Sequence, residues 1–196
     1  MGRKKPKNRA LRRALSQEVG NENQIVFYRE SKHLETVRGF LVAVGRRWVL
    51  LAVTSDGGYP DGHAAIRLRD VMAWRVDEES FESRFARTLP SWPPVVPHAG
   101  VRLGSAKGVL GTLASGDELL GIEQEFRFPD TIWIGRRDAV IGKWVYLLEV
   151  YVDGTWGDAP LGYKCKQVTR VSIRSQYMTA LAQVAAEPPD LTTVNA

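Results

Sequence analysis

Apolar and polar positions alternate in short stretches along two parts of the chain. From Ile25 onward the stretches IVFYRE, ETVRGFLVAV, RWVLLAV and HAAIRLRDVMAWRV are rich in Val, Ile, Trp and Tyr. LLGIEQEF, TIWIGRRDAV, KWVYLLEVYV and LGYKCKQVTRVSI follow in the same manner after Leu119. Partial alternation, as in Arg67-Leu68-Arg69 and Tyr163-Lys164-Cys165-Lys166, predicts strands with one face on a core and one in water. Ser55-Asp56-Gly57-Gly58 and Asp153-Gly154 supply turns. A helical pattern opens each part, ALRRALS and then SAKGVLGTLA, with Ser105 placed to cap the second. Another closes each part, EESFESRFARTL and then SQYMTALAQVAA.

The two parts match when the chain is set against itself with a shift of 96 residues. Gly39 then meets Gly135, Ala43 meets Ala139, Trp48 meets Trp144 and Val49 meets Val145 without a gap. One inserted residue later, Val71 meets Val168 and Val76 meets Ile173. Upstream, IVFYRE lies opposite LGIEQE. Apolar matches between strands arise easily, but ungapped matches in Gly, Ala and Trp do not, and they predict an internal duplication. Between the two parts, TLPSWPPVVPHAG holds Pro90, Pro93, Pro94 and Pro97; proline lacks a ladder donor and fixes φ, so an extended linker is expected. The organisation read this way is a basic tail and helix start over 1–20, a first repeat over 21–88 and a linker over 89–100. A second repeat covers 101–186 and a C-terminal tail 187–196.

Strands this short predict small curled barrels, in which closure removes exposed edges and mid-strand Gly39 and Gly135 allow sharp bends. The expected fold class is mainly β with short flanking helices (α+β), a tandem of two small β-barrels. Gly39, Val44, Gly45 and Trp48-Val49-Leu50-Leu51 in the first part, and Gly135, Val140, Ile141 and Trp144-Val145-Tyr146-Leu147 in the second, resemble the first motif of Sm-like, or more broadly SH3-like, barrels. IRLRDVMAWRV and YKCKQVTRVSI resemble the family's final strand pair. The family's RNA-binding Asp is replaced by Gly45 and Ile141, its Asn by Val49 and Val145, and the Arg-Gly of its second motif is missing. The resemblance therefore implies the barrel without the uridine pocket. The succession of WIGR, VTRVSI and YMTAL also resembles uncharacterised bacterial proteins.

Charge changes this picture at one end. Arg3, Lys4, Lys5, Lys7, Arg9, Arg12 and Arg13 precede the first acidic residue, Glu18, and removing them from a net charge of +5 leaves the remainder slightly acidic. Such a tail binds polyanions by counterion release, or serves as a solubilising arm. The pairs Arg46-Arg47 and Arg136-Arg137 flank the strand–turn–strand units and, with the tail, form a candidate phosphate-contacting stripe that Arg67 and Arg69 extend. Solvated turn charges explain the same residues. Trp48 and Trp144 are core residues or base-stacking platforms.

Little else points to chemistry. Cys165 is the single cysteine, which excludes an intrachain disulfide and suits a reducing, cytoplasmic setting. It reads as a small core residue. His33, His63 and His98 show no metal-ligand spacing, and LGSAKGVLGT lacks the P-loop spacing. No cofactor is expected. Asp61 and His63 form the best acid–base pair on offer, but a turn Asp beside a solvent His accounts for them. The longest apolar run, Trp48 to Val53, is too short to span a bilayer, and the N-terminus lacks a secretory apolar region. The expectation is a non-catalytic binding protein, associated with RNA or DNA through the tail and the barrel arginines. The alternative is an adaptor or inhibitor that pairs a protein partner along an exposed barrel edge. Monomer, dimer and higher ring all remain open, since two barrels that pair with each other leave two edges.

Overall fold

The computed structural model describes residues 8–29, 36–78 and 80–189. Helix α1 (Asn8–Gln17) leads into strands β1 (Gln24–Arg29), β2 (Thr36–Val44), β3 (Trp48–Thr54), β4 (Pro60–Arg67) and β5 (Val71–Asp77), then helix α2 (Phe81–Ala86). Helix α3 (Ala106–Thr112) leads into β6 (Leu119–Glu123), β7 (Ile132–Ile141), β8 (Trp144–Glu149), β9 (Leu161–Lys164) and β10 (Arg170–Ile173), then helix α4 (Gln176–Val184). The protein is mainly β, with four short helices. No helix among the described residues is long and apolar enough to cross a membrane.

Local chemistry explains the helix starts. The hydroxyls of Ser80, Ser105 and Ser175 accept from the backbone N–H groups of Ser83, Gly108 and Met178 at 3.0, 3.0 and 3.1 Å, which satisfies donors that have no intrahelical partner. In α1, Leu11 and Leu15 lie one turn apart and are buried, while Arg9 and Arg13 face solvent.

All ten strands join one antiparallel sheet in the order β5-β1-β2-β3-β4-β10-β6-β7-β8-β9. Strand β3 shows how the core is divided. Trp48 and Leu50 face a cluster with Leu120, Ile122, Val145, Leu147, Val171 and the α3 residues Val109 and Leu110. Val49, Leu51 and Val53 face a second cluster with Leu15, Ile25, Phe27, Leu41 and Ile66. Burial on both faces is why this stretch reads as an unbroken apolar run rather than an alternation.

The two five-stranded halves are built alike. In each, the last strand pairs with the first, β5 with β1 and β10 with β6. The β2–β3 register slips between Leu41 and Ala43, and the β7–β8 register slips between Arg137 and Ala139. A Cβ on Gly39 would lie 2.2 Å from the Ala52 carbonyl oxygen, and one on Gly135 would lie 2.2 Å from that of Leu148.

Three expectations need correction. The sheet is open: neither half closes, because β4, the strand available for closure, pairs instead with β10 of the other half. The edges at β5 and β9 persist for the same reason. The two long runs HAAIRLRDVMAWRV and LGYKCKQVTRVSI are each broken by a 3-10 turn, Leu68–Asp70 and Cys165–Gln167. Arg67 and Arg69 therefore do not share a strand face, and Cys165 sits in a turn, although it is buried.

Candidate nucleic-acid interface

The hairpin turns and the 3-10 turns meet on one side of the sheet. In the first half, Leu68 N–H donates to the Arg47 carbonyl at 2.9 Å, which fixes the Leu68–Asp70 turn beside the β2–β3 turn. In the second half, Cys165 N–H donates to the Lys143 carbonyl at 2.9 Å and fixes the Cys165–Gln167 turn beside the β7–β8 turn. Gly142, at φ 58°, supplies the left-handed residue that this tight turn needs. The segment before α3 seals the first turn. The Leu103 carbonyl accepts from Arg47 N–H at 3.4 Å and Trp48 N–H at 3.2 Å, and a Cβ on Gly45 would meet the Leu103 Cβ at 2.3 Å.

The β4–β10 pairing sets the two turn pairs side by side, and a groove of about 870 Å³ runs between them. Arg47 and Arg69 line it from the first half, Lys143, Lys164 and Lys166 from the second, and Lys107 from the start of α3. All six are exposed, and no Asp or Glu is among the lining residues. With no anion interleaved, their fields add, and the groove attracts anions. Asp70 lies beneath, buried, and is taken up by Arg67, whose Nη1 also donates to the Lys166 carbonyl at 2.9 Å. Burial pushes the Arg67 pKa down and Asp70 opposes it, so Arg67 ties the two halves together rather than offering charge.

The two tryptophans diverge. Trp48 is 1% exposed and belongs to the core. Trp144, its counterpart, is 38% exposed on the groove wall, with Lys164 Nζ 5.2 Å from the ring centroid. Cys165 lines the groove as a buried thiol whose pKa burial raises, so it stays protonated and unreactive at neutral pH.

Of the basic residues named from sequence, Arg3, Lys4, Lys5 and Lys7 lie outside the described residues. Arg9, Arg12 and Arg13 lie on α1, which packs against β2 and the Leu68–Asp70 turn. Arg46 and Arg47 occupy the β2–β3 turn, exposed, and Arg47 lines the groove. Arg136 and Arg137 are within β7 and not in a turn. Arg136 pairs with Asp117, and Arg137 Nη1 donates to the Ala114 carbonyl at 3.0 Å and the Leu110 carbonyl at 3.5 Å, beside the C-terminal end of α3. The positions that match Arg46-Arg47 are Gly142-Lys143. The signal was present, since the shift of 96 carries Arg47 onto Lys143. Lys107, Lys164 and Lys166 carried none, because only the 3-10 turn and the α3 packing bring them together.

The Asp61-Gly62-His63 stretch lies at the junction of β4, β10 and α4. Asp61 Oδ1 accepts from Gln176 N–H at 2.7 Å, and His63 Nε2 pairs with the Val95 carbonyl at 2.9 Å. Gly62, at φ 71°, lets the chain pass so near β10 that a Cβ would lie 2.2 Å from the Ile173 carbonyl oxygen. His98 Nε2 bonds the Leu113 carbonyl at 3.0 Å, and His33 lies outside the described residues. Among the described residues no His, Cys, Asp and Glu side chains converge as a metal-ligand set.

Compared with known proteins, the chain matches no family model, no curated protein and no solved structure.

Proposed function

We propose that the protein binds single-stranded nucleic acid, RNA in the first instance, in the groove between the two halves. The observation that carries this reading is the convergence of six exposed cations, without a carboxylate, beside the half-exposed Trp144. Cations that follow a phosphate backbone and an aromatic face that accepts a base are the two parts of a sequence-tolerant single-strand site. The reading is one of binding and not of catalysis, since Asp61 and His63 each hold a structural contact. It goes with a tandem of two Sm-like units that arose by duplication. The shared element order, the matched register slips and the matched glycines favour that origin. The basic tail adds a second, less specific polyanion contact.

The test is fluorescence anisotropy with mixed-sequence single-stranded RNA and DNA, at low and moderate salt. The full chain is compared with Arg47→Ala/Arg69→Ala/Lys143→Ala/Lys166→Ala and with a chain starting at Asn8. A start at Asn21 would remove α1 and uncover Leu15 and its neighbours, so it cannot serve. The groove variant is expected to lose affinity on the order of 100-fold, with a salt slope shallower by roughly one for each contact removed. Binding that disappears with residues 1–7 and ignores the groove variant would overturn the reading.

A further inference from the structure

The joint between the halves is an antiparallel pairing of β4 with β10. Ala64 stands opposite Ser172 and Ala65 opposite Val171. Each strand of this joint has a counterpart at an end of the sheet. Strand β9 pairs with β8 as β4 pairs with β3, with Val145↔Tyr163 matching Val49↔Ile66. Strand β5 pairs with β1 as β10 pairs with β6, with Phe27↔Trp74 matching Ile122↔Val171. The sheet thus ends in the two strand types that its own centre joins, one of each.

The ends look like an opened joint. Ala64, Ala65 and Ile66 on β4 are fully buried, whereas the matching β9 stretch exposes Leu161 (51%) and Gly162. On β10, Val171 and Ser172 are buried, whereas on β5 the flanking Ala73 and Arg75 and the apolar Met72 are exposed. Unpaired edges of this kind present a row of backbone donors and acceptors, and proteins ordinarily blunt or cover them.

We propose that the protein assembles head to tail with copies of itself, β9 of one copy pairing antiparallel with β5 of the next in the register of the internal joint. Carrying that register over sets Gly162 opposite Trp74, Leu161 opposite Arg75 and Tyr163 opposite Ala73. Pro160, which precedes β9 and lacks an N–H, ends the ladder. The contact is heterologous, so it closes into a ring or runs on as a filament. Each new joint also brings Lys143 and Lys166 of one copy toward Arg47 and Arg69 of the next, as the internal joint does within one chain, so the cationic groove is repeated between copies. The pairing rests on strand register alone and does not depend on what the groove binds.

Sedimentation velocity of the full chain without nucleic acid, over a wide range of concentration, reads the assembly. Species at multiples of 21.9 kDa are expected. The register is read by mixing separately made Arg75→Cys and Leu161→Cys chains under oxidising conditions. Opposed residues in an antiparallel ladder stand about 4.5–5.5 Å apart at Cα, within disulfide reach. Both positions are exposed, so neither change disturbs the fold. A cross-linked dimer is expected from this mixture and not from Met72→Cys mixed with Leu161→Cys, which is out of register. A monomer at every concentration would overturn the proposal, as would an assembly in which the in-register pair fails to cross-link.

Discussion

The backbone N–H of Leu68 donates to the carbonyl of Arg47 at 2.9 Å, and this bond joins a hairpin turn to a 3-10 turn that lies twenty-one residues further along the chain. Its counterpart, Cys165 to Lys143, does the same in the second half. Backbone bonds place the cations here, so the groove keeps its shape when a side chain is removed. Binding and stability are therefore separable by mutation.

The tryptophans test that separation. Trp144→Ala removes a half-exposed ring from the groove wall, and Trp48→Ala removes a fully buried one. Trp144→Ala should cost nucleic-acid binding about 1–3 kcal/mol, the worth of one stacked base, and change the unfolding midpoint little. Trp48→Ala should destabilise the fold by about 3–5 kcal/mol. Anisotropy and urea titration of the two variants separate the effects. Equal binding losses per folded molecule would remove the stacking role from Trp144.

Gly39 and Gly135 should respond alike. In each, a Cβ would sit 2.2 Å from a carbonyl oxygen of the neighbouring strand, and backbone, not a movable side chain, is what it meets. Gly39→Ala and Gly135→Ala should each lose more than about 2 kcal/mol, by strain at the bend. Denaturant unfolding of both checks this, and a loss below about 0.5 kcal/mol at either site, the scale of an unremarkable surface change, would refute it.

The legibility of the fold from sequence followed its physics. Strand positions were readable because apolar runs bounded by Gly and Asp are local signals, and the glycine match was readable because both bends impose the same steric demand. Closure was not readable. Whether β4 meets its own half or β10 depends on which edge is nearer in space, and a self-comparison shows only that equivalent strands exist. The 3-10 turns were hidden because Arg-Leu-Arg and Lys-Cys-Lys alternate as a strand does. Half of the site was hidden with them. Arg47 and Arg69 stood out as charges, whereas Lys164 and Lys166 passed for the wet face of a strand.

Arg29 and Glu125 form a buried ion pair between the end of β1 and the segment that follows β6, with exposures of 1% and 3%. It crosses between the halves. Removing one charge leaves the other in a low-dielectric interior, so Glu125→Gln should destabilise by about 3–5 kcal/mol. Arg29→Met/Glu125→Leu should recover most of that loss, because two apolar side chains of similar size leave no charge to solvate. Urea unfolding of both variants decides it. A double variant no better than the single would mean that the pair fixes geometry that packing cannot replace.

His63 gives the fold a pH dependence of predictable sign. Burial holds its imidazole pKa below the ordinary value of 6.5, against the opposing pull of the Val95 carbonyl, so the folded protein carries it neutral near neutral pH. In the unfolded chain it titrates near its ordinary value. Between the lowered folded pKa and about 6.5 the unfolded state therefore binds more protons, and by linkage stability falls as the pH drops through that window. Above it, the residue contributes no slope. The site matters for the architecture because His63 stands opposite Ile173 in the β4–β10 joint and holds the proline-rich segment through Val95. Urea midpoints at pH 7.5 and 5.5 should fall on acidification in the parent protein and fall less in His63→Gln, which has no proton to gain. An equal fall in both would place the acid sensitivity in the carboxylates instead.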